Sequence, residues 1–289
     1  MSENKPVVIV GASGFVARNF RKFLYEKNLK VISISRKNFQ SYPNETKIVS
    51  KNYLEKELIS KIKNCSILFH FVGIGNQSIK TSFESVNYEF TKHVIFLSKK
   101  ANIKKIIYLS GLGVSQRSTS DYFISKFKAE QEIKKSNLDY VIFRPSYIVG
   151  KDDLLTKFLK KQISNGEIEI PGTGNFMMQP IHIKDVMEIF FQSMIQKNFK
   201  NKTIDLVGPE SITFKKFIIL FSQKYKTKIK HLDLELAYQR ALNNPKSDFG
   251  LDDLNILMGN FKGNHAKLTK FFDIDCQSVS KLLNIGSLS

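Results

Sequence analysis

The feature that most constrains this chain is a short apolar run that breaks into glycine. Val7–Val10 is followed at once by Gly11-Ala12-Ser13-Gly14-Phe15-Val16-Ala17, and Phe15, Val16, Phe20, Phe23 and Leu24 then recur at helical spacing. A strand, a glycine turn and an amphipathic helix in that order have a physical use. Gly11 lets the chain turn sharply where the strand ends. Gly14 removes the Cβ that would hold a pyrophosphate off the backbone, and Ala17 is small enough for the helix to pack closely on the strand. Free N–H groups at the positive end of the helix then face the anion. The spacing is GxxGxxA rather than GxGxxG, and the strand–loop–helix setting is what gives it weight. The expected diphosphate contacts are Gly11, Ser13, Gly14, Phe15 and Val16.

The alternation continues. Val31–Ser35 reads as a second strand, Ile48–Val49 as a weak third, Ser66–Val72 as a fourth and Ile106–Ser110 as a fifth, with a helix over Phe83–Lys100. A helix over Asp121–Ser136 and a strand over Tyr140–Phe143, stopped by Arg144-Pro145, follow. Strand and helix in turn imply a parallel sheet covered on both faces, and right-handed crossovers make it doubly wound. The fold class is therefore α/β, a doubly wound parallel sheet with a smaller C-terminal substrate lobe. After Gly150 the pattern loosens into a helix over Asp152–Ile163, a glycine-punctuated stretch over Gly166–Phe176, and a short strand becoming a helix over Ile181–Lys197. A strand over Thr203–Val207 and helices over Phe214–Tyr225 and Leu232–Leu242 come next. The polar loop Asn243–Gly250, with Pro245, reads as mobile. The expected division is residues 1–150 plus 179–208 for the dinucleotide-binding domain, and 151–178 plus 209–289 for the smaller lobe.

The second strand ends Ser33-Ile34-Ser35-Arg36-Lys37. A carboxylate at this point would hold a ribose 2′-hydroxyl, and none is present. Ser35, Arg36 and Lys37 offer donors and positive charge that suit a 2′-phosphate, so NADP is favoured over NAD. The formal net charge of +19 attracts phosphates, nucleic acid and anionic membranes in general. The lysines are spread over the whole chain without a nucleic-acid motif, so a solvated surface is the expectation and nucleic acid is not an expected partner. No apolar run approaches the roughly 20 residues of a membrane span, and Val7–Val10 is too short for a signal core. Cys65 and Cys276 stand far apart with no CxxC, which argues against disulfides and a cysteine zinc site and for a cytoplasmic setting. No metal ligands are expected: His70, in an apolar strand, and His182, beside the short strand after Pro180, read as structural, as does Asp185.

Further blocks carry a resemblance. Val86-Asn87-Tyr88, Ile106-Ile107-Tyr108-Leu109-Ser110, Tyr122-Phe123-Ile124-Ser125-Lys126, Arg144-Pro145-Ser146-Tyr147-Ile148-Val149-Gly150, Pro180-Ile181-His182-Ile183-Lys184-Asp185-Val186 and Gly208-Pro209 with Thr213 occur in that order behind the glycine loop. Over about residues 6 to 220 the chain resembles the extended and atypical short-chain dehydrogenase/reductases, epimerase/dehydratases among them, with a Rossmann dinucleotide-binding half. The resemblance implies that Tyr122, of the YxxxK motif, exchanges a proton with a substrate oxygen while the cofactor exchanges hydride. It implies that Lys126 holds the nicotinamide ribose, and that Ser110 can bond the same substrate oxygen, with Ser115, Ser118, Thr119 and Ser120 as fallbacks. Val72, Gly73 and Pro145, Ser146, Tyr147 and Ile148 complete the expected cofactor contacts. One turn apart on a helix, the Lys126 ammonium is expected to lower the Tyr122 pKa from its usual value of about 10.

Two departures matter. Ser50-Lys51-Asn52-Tyr53 lacks the acid that contacts adenine in many members, which leaves Asn52 to serve. Only eleven residues separate Ser110 from Tyr122. That short passage looks more like the atypical branch that includes the 39 kDa accessory subunit of respiratory complex I, whose members bind NADPH and in part turn over no substrate. Two functions follow as expectations. One is an NAD(P)-dependent oxidoreductase or epimerase/dehydratase acting on a small carbonyl or hydroxyl compound, nucleotide-sugars included. The other is a non-catalytic NADPH-binding assembly subunit or redox sensor. Pairing as a homodimer or docking to a partner protein is open on either reading.

Overall fold

A computed structural model describes residues 5–244 and 249–284 of the 289. The chain divides into two compact units, residues 1–144 with 187–204, and residues 145–186 with 205–289.

The first unit starts with β1 (Val7–Val10), α1 (Phe15–Glu26), β2 (Val31–Ser35), β3 (Glu45–Val49), α2 (Lys56–Ile62) and β4 (Ile67–His70). A π-helical stretch, Glu84–Glu89, leads into α3 (Phe90–Lys100), so the single helix expected from Phe83 onward is two kinds of helix. Then come β5 (Lys105–Leu109), α4 (Asp121–Lys135) and β6 (Asp139–Pro145). The strand expected to stop before Arg144-Pro145 runs through them. Proline is tolerated at the last position of a strand because the ladder no longer needs its N–H. Helix α5 (Ile183–Ile195) and strand β7 (Lys202–Leu206) close the sheet.

Its order is β7-β6-β5-β4-β1-β2-β3, and β1 to β6 pair in parallel. Direction of winding reverses between β1 and β4, where Val10 sits opposite His70. In such sheets ligands bind outside the carboxyl ends of the strands at that reversal. β1, β2 and β4 are buried throughout, as strands covered on both faces must be. On one face Phe20 of α1 lies 4.6 Å from Phe69 and 5.6 Å from Phe190 of α5, ring to ring. On the other, Val86, Phe90, Val94 and Leu97 join Leu58 and Ile62.

The second unit has its own core, in which Leu159, Ile168, Ile170, Phe214, Phe217 and Phe221 are buried together. Glu167–Pro171 pairs in parallel with Lys228–Leu232, which fills the gap between the helices expected over Phe214–Tyr225 and Leu232–Leu242 and takes only the first residue of the latter. Helix Leu154–Ser164 is capped by Asp153, which accepts from the Thr156 N–H, and helix Phe214–Ser222 by Thr213, which accepts from the Lys216 N–H. Half of the loop expected at 243–250, residues 245–248, lies outside those described; Asn243 ends a helix and Gly250 caps the next. Among the described residues no helix is long and apolar enough to cross a membrane, and no cluster of His, Cys, Asp or Glu could hold a metal ion. Both cysteines are buried free thiols.

Candidate functional site

Gly11 takes φ +84°, which L side chains rarely adopt, and a Cβ there would stand 2.9 Å from the backbone of Phe71 and Val72. Its glycine is therefore required by the protein's own packing at the reversal point. Gly14 is different. It is the exposed N-cap of α1, and a Cβ would meet only the Gly11 carbonyl oxygen, at 3.3 Å. No side chain caps this helix and no acid lies in its first turn, so the positive end is left for an external anion. Phe15 and Val16 are half-buried in that first turn. Ser13 Oγ accepts from Ser35 Oγ at 2.9 Å, and Ser35 Oγ accepts from the Lys37 N–H at 3.2 Å, so the loop after β1 and the loop after β2 are tied. The residues present thus fit a dinucleotide diphosphate.

Arg36 and Lys37 are exposed just past β2. The Arg36 guanidinium lies 5.5 Å from the centre of the Phe90 ring. Asn52 is exposed, and its carboxamide oxygen accepts from the Leu54 N–H at 3.0 Å. Val72 is buried and Gly73 exposed at the end of β4.

Lys126 comes up beside Gly73, where a Cβ would be 2.8 Å from its Nζ. The ammonium donates to the Leu109 carbonyl at 3.2 Å and lies 5.1 Å from the centre of the Tyr108 ring. Burial lowers its pKa to about 8, against the opposing charge of Glu130. The Tyr122 hydroxyl stands over Gly111, where a Cβ would be 3.1 Å away. Its ring packs against Phe83 and Phe123, and burial pushes the phenol up to about 12. The expected lowering by Lys126 is absent: the ammonium is engaged with a backbone carbonyl and an aromatic face, so loss of water dominates at the phenol.

Ser110 is buried, and its hydroxyl donates to Glu130 Oε1 at 2.7 Å. Glu130 is fully buried on α4 and accepts both prongs of Arg144, Nε at 2.8 Å and Nη2 at 2.6 Å. Asn87, buried in the π-helical stretch, accepts from the Ile74 N–H at 2.9 Å and donates to Ser125 Oγ at 3.1 Å. Such irregular turns often serve functional sites. His70 is buried with Nε2 2.8 Å from Thr91 Oγ1, and Thr91 spends its own proton on the Asn87 carbonyl. His70 must then donate through Nε2, and burial lowers its pKa to about 3.

Glu130, Asn87 and Ser125 were not read as site residues. Glu130 could have been, since it follows Lys126 by four residues on one helix face. Pro145, Ser146, Tyr147 and Ile148 belong to the second unit, where Gln179 N–H donates to Ser146 Oγ at 3.1 Å, Ile181 N–H donates to the Tyr147 carbonyl at 2.9 Å, and Ile148 pairs with Ile181. There too His182 accepts from Gln277 Nε2 at 2.8 Å and Asp185 from the Gln277 N–H at 2.9 Å.

A glycine loop at the switch point of a doubly wound sheet defines the class as a dinucleotide-binding α/β protein, and YxxxK on α4 is the motif by which it resembles the short-chain dehydrogenase/reductases. The chain belongs to the NAD(P)H-binding family, which it matches over residues 11–173. It is 23% identical over 152 residues to the mitochondrial NADH-ubiquinone oxidoreductase 40 kDa subunit of Neurospora crassa, covering 53% of this chain and 40% of that protein. It is 21% identical over 198 residues to the mitochondrial NADH dehydrogenase (ubiquinone) 1 alpha subcomplex subunit 9 of Arabidopsis thaliana, covering 66% and 48%. The matches thus span less than half the length of these relatives. In fold it resembles UDP-glucuronic acid 4-epimerase from Bacillus cereus, solved with UDP-glucuronic acid and NAD (TM-score 0.74, 15% identity, 96% of each chain). It also resembles dTDP-glucose 4,6-dehydratase from Bacillus anthracis, solved with NAD (TM-score 0.73, 18% identity, 96% of this chain and 94% of that one).

Proposed function

We propose that the chain binds NADP(H), with the diphosphate on the backbone of Gly11–Val16 and the 2′-phosphate beside Arg36 and Lys37, and that it is an oxidoreductase or epimerase/dehydratase of the short-chain type. The bound nicotinamide would supply hydride chemistry. Lys126 would hold a ribose hydroxyl, and Tyr122, protonated at neutral pH, would give its proton to a carbonyl oxygen. The observation that carries the reading is that Gly73 and Gly111 clear space for the Lys126 ammonium and the Tyr122 hydroxyl respectively. A small carbonyl or hydroxyl compound is the substrate class, and the likeness in fold to enzymes of nucleotide-sugars favours that group. Single-turnover fluorescence of bound NADPH against a carbonyl panel tests it. Oxidation in the wild type that is abolished in Tyr122→Phe supports it.

One observation favours a second reading, a module that holds the cofactor without turnover and docks to a partner protein. The Ser110 proton is already given to Glu130. Ser110 can therefore accept from a ligand but cannot also donate to a developing oxyanion, which needs donors. The likeness to subunits of a mitochondrial NADH dehydrogenase agrees with this reading. Tight NADPH binding with no oxidation across the panel decides for it.

A further inference from the structure

Arg21 projects from α1 into the protein with its side chain 3% exposed, and the side chain of its partner Glu45, the first residue of β3, is 1% exposed. The guanidinium grips the Glu45 carboxylate with two prongs, Nε to Oε1 and Nη2 to Oε2, the second at 2.7 Å. Nη1 donates to the Ala12 carbonyl at 3.1 Å and Nη2 to the Gln40 carbonyl at 2.6 Å. Its plane lies 4.4 Å from the centre of the Phe39 ring, and Glu45 Oε2 also accepts from the Tyr42 N–H at 2.9 Å. One rigid fork thus fastens three segments: the glycine loop, the connection from β2 to β3, and the start of β3.

A buried ion pair is weak grounds for stability. Removing two charges from water costs several kcal/mol per ion, and apolar replacements are often as stable. What a planar fork with fixed donors does give is geometry. Here it fixes geometry between two places that a dinucleotide touches at once. Ala12 lies inside the loop proposed to hold the diphosphate. Gln40 and Phe39 belong to the connection whose first residues, Arg36 and Lys37, are proposed to face the 2′-phosphate. Lys47 also holds the same connection, donating to Asn38 Oδ1 at 2.9 Å and to the Phe39 carbonyl at 3.1 Å.

We propose that Arg21 and Glu45 are positioning residues that set the preference for a 2′-phosphorylated cofactor, by holding the Arg36–Tyr42 connection at a fixed distance from the glycine loop. Neither touches the cofactor. The inference rests on the cofactor site proposed above. Selectivity should follow from the span alone, because the 2′-phosphate needs both anchors in register, whereas a cofactor without it needs the glycine loop only.

The test compares dissociation constants for NADPH and NADH in the full chain, by titration calorimetry, for the wild type, Arg21→Lys and the double variant R21M/E45M. Lysine keeps the charge opposite Glu45 but cannot reach Ala12 and Gln40 as well. The expected result is that the preference for NADPH falls about tenfold in both variants, while NADH affinity stays within about threefold and both still melt cooperatively. An unchanged ratio in either variant overturns the proposal, whether or not both affinities drop together. So does loss of the cooperative melt in Arg21→Lys, which would make the pair a stability element. A wild type that binds neither nucleotide fails earlier and separately, at the cofactor reading itself.

Discussion

At the proposed diphosphate loop the backbone would be the functional group, whereas at the proposed acid–base corner the work would fall to side chains reaching in from several elements. Gly11 is forced by its own φ and by the approach of Phe71 and Val72, and Gly14 leaves the helix end open. Tyr122 and Lys126 share a helix, but what surrounds them comes from the loops after β4 and β5 and from the π-helical stretch before α3. The lesson is that a backbone site is set by residues next to each other in sequence, while a side-chain site depends on partners that no local motif names.

That contrast can be broken by substitution. Gly11→Ala should have the largest effect. A strained φ and a sub-contact Cβ together cost about 3 kcal/mol, so urea unfolding should show a marked loss of stability along with lost nucleotide binding. Glu130→Gln should cost about 2 kcal/mol by removing the buried charge that grips the partly buried Arg144. Glu130→Met, which leaves no acceptor oxygen there, frees the Ser110 proton. If the second functional reading is right only because Ser110 is engaged, turnover of a carbonyl should rise above the wild type once protein is saturated with NADPH.

A pH series sharpens the comparison from beneath the corner. His70 has a pKa lowered to about 3, so it stays neutral in the fold while the unfolded chain takes up a proton below about 6.5. The unfolded state then binds more protons, and stability falls as pH drops from about 6.5 towards 3, by up to roughly 1.4 kcal/mol per pH unit. Urea midpoints measured through that window should fall, and His70→Gln should flatten the fall. An equal slope in both proteins would place the acid sensitivity elsewhere. Gly111→Ala should show the smallest change in stability, under about 1 kcal/mol, because only the end of the Tyr122 side chain must shift. Its effect should fall on turnover instead, with NADPH affinity unchanged.

Legibility in the sequence followed the same divide. The glycine loop, the parallel sheet and YxxxK could be read because periodicity and glycine placement are local. The second half of the chain was harder. Strand Lys228–Leu232 is mostly exposed, so it has no apolar alternation to announce it. In the corner, the clearance at Gly73 and Gly111 was invisible until the side chains that fill it were placed. Ser110 was read for a substrate oxygen, and Glu130, which takes its proton, was passed over because a glutamate in an amphipathic helix reads as a solvated one. The Arg21–Glu45 pair was hidden for the same reason, its two charges lying 24 residues apart.

The most direct measurement is thermal unfolding with saturating NADPH, with saturating NADH and without nucleotide. A ligand at a hundred times its Kd adds about 2.7 kcal/mol. The melting temperature should rise by several degrees with NADPH and by less with NADH at equal concentration. A melting temperature unmoved by either would contradict the cofactor reading, because the open helix end beyond β1 would then hold no diphosphate.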